Sequence, residues 1–202
     1  EILRCLVGSE MCIRDRFKIY QNLVEKYYKK DCRELNFQNR ILIPFLEQLI
    51  LGKYDVVDAS TLYKNWRKID RESFAGQYTP DILVVEEWNL FEKKKKPLVI
   101  VEVKRPTADD RPHADNEVNE YINKSQYVIL TDCITWEIHE MNKETRIYYL
   151  SKERQRVCER SIPKTKKDRI INWIDNSIPN NDWDELHNAI KEIVQAKSYL
   201  LN

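Results

Sequence analysis

The stretch TPDILVVEEWNLFEKKKKPLVIVEVKRP, residues 79–106, constrains the fold more than any other part of the chain. Two Val/Ile/Leu-rich runs read as buried strands, yet Asp81 heads the first, and Glu102 and Lys104 stand at the tail of the second. Burying an ionisable side chain is costly unless something pairs with it. Either this end of the strands is open to water, or it holds a cation. Side chains alternate across a strand, which puts Leu98, Ile100, Glu102 and Lys104 on one face and Val99, Val101 and Val103 on the other. If the runs pair as a hairpin with Val85 opposite Leu98 and Leu83 opposite Ile100, Asp81 falls opposite Glu102, with Cβ atoms about 5 Å apart. Two carboxylates that close repel unless a proton or a cation sits between them. A hard ion such as magnesium takes one or two carboxylates, backbone carbonyls and water, so Asp81 and Glu102 are candidate Mg2+ ligands. Lys104, one pleat further on, is placed to orient or help deprotonate an attacking water and to offset phosphate charge.

The flanking sequence predicts an α/β domain. Phe17, Tyr20, Leu23, Val24, Tyr27 and Tyr28 recur at helical spacing, as do Phe37, Ile41, Phe45 and Leu49, with Pro44 calling for a kink or a fresh first turn. YDVVDAS reads as a strand and residues 64–78 as a polar loop beside the site. Residues 93–96, all lysine, read as a solvated turn rather than a DNA grip. TADDRPHAD is predicted as a loop with His113 exposed, NEVNEYINK as a short helix, and QYVILT, TWEIHE and RIYYLS as three more strands. The tail reads as helical over DRIINWID and again over WDELHNAIKEIV, where Trp183, Leu186, Ile190 and Val194 form a core-facing stripe.

Lysine and arginine total 34 against 33 acidic residues, so there is no general pull toward nucleic acid or membrane, and any polyanion site must be a local patch. No apolar run approaches the roughly 20 residues of a membrane helix. The scattered cysteines, with three histidines and no CxxC, make neither a zinc site nor a disulfide framework, which suits a reducing cytoplasm.

The arrangement of Pro80-Asp81 on one strand and Glu102-Val103-Lys104 on the next resembles the PD-(D/E)xK nuclease superfamily. PDILVV…PLVIVEVKRP, then a helix, then YVILTDCITWEIH, is similar to the N-terminal nuclease domain of type I restriction enzyme R subunits over residues 34–150. The resemblance implies a restriction-endonuclease-like mixed central sheet flanked by helices and a magnesium-dependent deoxyribonuclease in restriction-modification or related phage defence. It assigns the metal to Asp81, Glu102 and the Val103 carbonyl, and the attacking water to Lys104. It also implies a glutamate on the first helix near the metal, for which Glu34 fits the spacing better than Glu47. On the helix after the lysine the family often carries Gln, three residues, then Tyr as DNA contacts; Tyr121 matches, while Glu117 stands in the glutamine position. Arg105 is a further candidate for phosphate contact, or for a salt bridge with a neighbouring acid. The implied partners are DNA and other restriction-system subunits or a separate motor, because no GxxxxGK[ST] loop occurs here. An inactive module of the same fold, binding DNA or docking a partner subunit, is the competing reading.

LVGSEMCIRDR, residues 6–16, resembles the in-frame translation of a transposase adapter used in sequencing libraries. Residues 1–16 are therefore read as an adapter or cloning scar, 17–155 as the nuclease-like domain and 156–202 as a helical extension.

Overall fold

Helical spacing of Phe17, Tyr20, Val24 and Tyr28 produces α1 (Ile13–Lys30), which buries all four rings and side chains on one stripe. This computed structural model describes residues 13–50, 54–60, 77–88, 96–107, 110–161 and 163–196. A one-turn α2 (Glu34–Phe37) runs through a π-helical turn (Gln38–Leu42) into α3 (Ile43–Leu49). Pro44 sits in the first turn of α3, directly after the π-helical turn, where a missing amide is best tolerated. β1 (Tyr54–Asp58), β2 (Ile82–Glu86) and β3 (Val99–Val103) follow, then α4 (Arg111–Tyr121), β4 (Tyr127–Thr131), β5 (Thr135–Glu140), β6 (Arg146–Tyr149) and α5 (Asp182–Ala196).

The six strands form one mixed sheet in sequential order. Only β3 and β4 are parallel among its ladders, and α4 supplies the crossover such a pair requires. Leu83 lies opposite Ile100, the register that the apolar pattern predicts. Period-two alternation sorts the strands into two cores. Ile82, Val84, Val99, Val101, Val103, Ile129, Trp136 and Ile138 pack against α1, α3 and α5; Leu83, Val85, Ile100, Val128 and Leu130 pack against α4. The fold is thus a mixed α/β sheet with helices on both faces. Leu98 departs from its predicted face: it precedes the first ladder residue of β3 and joins the α1 layer.

Two further expectations need correction. The polar stretch around His113 is not a loop, because Pro112 fits the first turn of α4 and the helix begins at Arg111. DRIINWID is not a helix. Beyond a 3-10 turn (Lys166–Asp168), its backbone is taken up by the chain after β6, with Lys152 N–H donating to the Asn172 carbonyl and Ile174 N–H to the Leu150 carbonyl. The stripe of α5 is core: Trp183, Leu186 and Ile190 are buried, and Val194 packs against them. α1 begins at Ile13, inside the adapter-like stretch, and its first core residue is Phe17. Most of the loop at 64–78 and of the lysine turn at 93–96 lies outside the described residues; Lys96 is exposed. Among the described residues no helix is long and apolar enough to cross a membrane.

Candidate active site

The β2–β3 ladder closes at Ile82 opposite Val101, and its continuation sets Asp81 opposite Glu102 on the face that packs against α4. One side-chain bond prolongs the pairing: Val103 N–H donates to Asp81 Oδ2 at 2.8 Å. The Asp81 carbonyl accepts from Ala59 N–H at 2.8 Å and from Gln38 Nε2 at 2.9 Å, so the turn into β2 is held from two sides. Gln38 also donates to Asp58, which fixes the π-helical turn against the end of β1.

Glu102 and Lys104 are 4% and 6% exposed. The Lys104 ammonium lies 2.7 Å from Glu102 Oε1 and 2.6 Å from Glu117 Oε2, while Tyr121 donates its hydroxyl to Glu102 Oε2 at 3.2 Å. Glu117 and Tyr121, the candidate DNA contacts, are both buried and direct their polar atoms at Lys104 and Glu102. Glu117 also meets His113 Nε2 at 3.0 Å, one turn earlier on α4. Tyr78 sets its ring edge-on to His113 and to Tyr121 and so walls the cleft. Glu34, half-buried on α2, is close enough for its charge to act on Asp81; Glu47 is exposed on α3. Arg105, which follows Lys104 in the chain, is exposed.

The cleft is short of positive charge. Burial pushes the Asp81 carboxyl up to about 7; the Val103 N–H and Lys104 oppose the rise, and Glu34 and Glu117 add to it. Burial and then Asp81 push Glu102 well above the usual carboxylate range, more than Lys104 brings it down. Burial alone would lower the Lys104 ammonium, but Glu102 and Glu117 more than offset it and keep the group charged. Burial and the surrounding acids likewise keep the Tyr121 hydroxyl protonated, hence a donor.

A third acid on the same face gives the contrast. Across the sheet, Glu102 pairs with Leu130 and Leu130 with Glu137. Glu137 is fully buried, yet Arg111 reaches it at 2.7 and 3.0 Å, Arg156 at 2.6 Å and Val157 N–H at 3.2 Å. These partners outweigh its burial and hold it below the usual range. Sequence reasoning missed this cluster. An acid in the middle of an apolar strand was the available signal, the same one that singled out Glu102.

Among the described residues no group of three or more His, Cys, Asp or Glu side chains is arranged to enclose a metal. The cleft offers the Asp81 and Glu102 carboxylates. Both are hard oxygen donors, and so few suit an ion that keeps most of its water.

No protein-family model matches the sequence. No curated protein matches it either. Among solved structures, the chain is similar to the type IIG restriction endonuclease BpuSI, with 17% identity and a TM-score of 0.35 over 95% of this chain. The match spans 18% of that enzyme's length. A likeness this distant leaves function to be read from the side chains themselves.

Proposed function

We propose that this chain is a magnesium-dependent deoxyribonuclease of the PD-(D/E)xK type, serving restriction or a related phage defence. The observation that carries the reading is the contrast along one face of the sheet. Glu137 has two guanidinium partners, whereas Glu102 and Glu117 share one ammonium, with the His113 imidazole beside Glu117, and Asp81 feels that ammonium only at a distance. A divalent cation at Asp81 and Glu102 would supply the missing charge. When bound, it contributes Lewis acidity toward the phosphate and toward water. Asp81, Glu102 and the Val103 carbonyl would hold it, and Tyr121 keeps the second Glu102 oxygen in place. Lys104 is held protonated, so it acts as a donor that orients the attacking water and offsets charge gathering on the phosphate, not as a base. The water oxygen bonds to phosphorus, the bond to the leaving oxygen breaks, and the proton ends on solvent or on that oxygen.

The test is incubation of supercoiled and linear DNA with the purified protein, with and without magnesium, beside Lys104→Ala. Cleavage is expected only for wild type with magnesium. Intact DNA in that lane overturns the reading. A second reading has an observation of its own: both Glu102 oxygens and the Lys104 ammonium already have partners, the state of an inactive nuclease-fold module that binds DNA or docks a partner subunit. Calorimetry separates the two, because the module takes up neither magnesium nor calcium.

A further inference from the structure

His113 connects the buried cleft to solvent. Its side chain is 48% exposed, whereas Glu117, whose Oε1 lies 3.0 Å from the imidazole Nε2, is only 9% exposed. The other oxygen of that carboxylate lies 2.6 Å from the Lys104 ammonium, which in turn lies 2.7 Å from Glu102 Oε1. Three contacts therefore lead from an imidazole in water to one of the two acids proposed to hold the cation. The ring is held from a second segment as well: half-buried Tyr78, just ahead of β2, stands edge-on to it, with centroids 5.6 Å apart. Arg111, the neighbouring cation on the first turn of α4, is turned instead to Glu137 and Asp115.

A histidine four residues ahead of a glutamate on an exposed helix face ordinarily contributes little. Here the glutamate is buried and divided between two partners, the imidazole at Oε1 and the ammonium at Oε2. Histidine changes charge between about pH 5 and 8. As a cation it takes a share of the Glu117 charge and loosens the hold of that carboxylate on Lys104. As a neutral ring it leaves Glu117 to draw on Lys104 alone. The ammonium itself stays charged throughout, kept so by Glu102 and Glu117. What changes is its attachment, and an ammonium less tightly bound to Glu117 is freer to donate to water and to developing phosphate charge.

We infer that His113 is a positioning residue: acting through Glu117, its charge sets how far the Lys104 ammonium is committed to the protein's own acids and how far it is available to the reacting phosphate. The inference rests on the deoxyribonuclease reading for what Lys104 serves, and its test has one readout that needs no cleavage. In EDTA, the NMR signals of the Lys104 side-chain carbons are followed across the neutral range in wild type and in His113→Gln. The wild-type signals are expected to move with pH, and part of that movement is expected to be missing from the variant; Asp81 and Glu102 account for what remains. The second readout is cleavage of DNA at saturating magnesium. The ratio of kcat in wild type to that in His113→Gln is expected to be about fivefold or more near pH 6 and to approach 1 above about pH 8, with KM within about twofold. His113→Lys, with a permanent charge, is expected to keep kcat high at both pH values. Identical Lys104 titrations in wild type and His113→Gln would overturn the inference, and so would a kcat ratio that does not change with pH. A Lys104 titration that depends on His113, without any magnesium-dependent cleavage, would uphold the coupling while rejecting the catalytic reading.

Discussion

Val103 donates its backbone N–H to Asp81 Oδ2 at 2.8 Å, so the acid heading β2 is tied to the strand that carries Glu102 and Lys104. The bond orients one carboxylate oxygen along the ladder and holds the acid against its like-charged neighbour. The bond lowers the Asp81 carboxyl, but burial outweighs it and keeps that acid raised, as burial and Asp81 do for Glu102.

Truncating the two ends of this arrangement should have different effects. Asp81→Ala is expected to abolish magnesium binding and turnover together, because it removes a ligand. Lys104→Ala is expected to retain metal binding and lose about 10²- to 10⁴-fold in turnover, the usual cost of a positioned proton-handling group. It should also lower stability by about 3 kcal/mol at neutral pH in the absence of metal, since Glu102 and Glu117 are left buried without their cation. Calorimetry and a nicking assay check the first two effects and urea unfolding the third; equal magnesium affinity in Asp81→Ala and wild type would reject the ligand assignment.

The pH dependence follows from Asp81. Its carboxyl rises from an ordinary 3.8 to about 7, so between those values the folded state binds more protons than the unfolded chain. The associated stability is full below the lower value and is lost as pH climbs through the upper one. His187 runs the other way: burial lowers its imidazole from 6.5 to about 4, so stability is lost as pH falls across that interval. The trends partly cancel in the whole protein, and the difference between Asp81→Asn and wild type isolates the first. In EDTA the variant is expected to gain about 1 kcal/mol or more on wild type between about pH 5 and pH 8. Magnesium should stabilise wild type alone, by competing with the proton. Urea melts that give a pH-independent difference would contradict the shift.

Glu117 should act through Lys104 and not on DNA. Its side chain is buried against the ammonium. Glu117→Ala is therefore expected to leave duplex affinity within about twofold while lowering turnover at least tenfold, a split between binding and rate that marks a positioning group. Loss of affinity with turnover preserved would return Glu117 to the DNA interface.

The buried Glu137 cluster makes a stability prediction. Glu137→Ala leaves Arg111, whose side chain is only 15% exposed, with only Asp115 and the Val157 carbonyl as partners among the described residues, and is expected to cost about 3 kcal/mol. Arg156→Ala, removing a partner that is 37% exposed, should cost about 1 kcal/mol or less. Chemical denaturation ranks the two, and a reversed order would show that Arg156 is the main support.

Local rules made the central strands legible. Alternation and hairpin pairing involve near neighbours, so the register of Leu83 with Ile100 and the shared face of Glu102 and Lys104 could be read directly. What escaped depended on distant segments. Glu137 finds Arg111 and Arg156 from 26 and 19 residues away. Gln38 reaches the Asp81 carbonyl across 43 positions. Trp173 sits in an isolated bridge with Ser151, in a stretch whose apolar spacing alone reads as helix. Side-chain identity showed that Glu117 departs from a glutamine, but not that it turns inward to Lys104.

The rings of Phe17 and Trp183 stand 4.8 Å apart, and Tyr20 and Phe45 close on the same indole at 5.0 and 5.4 Å. Nearly all the described chain separates Phe17 from its partner. During synthesis the ribosome therefore completes every strand before α1 and α3 can be sealed, and a nascent chain lacking α5 presents this aromatic cluster to its surroundings. Strand pairing can run ahead of the synthesis of α5, but closure of the helical layer must wait for it, which makes a chain lacking α5 a natural client for chaperones.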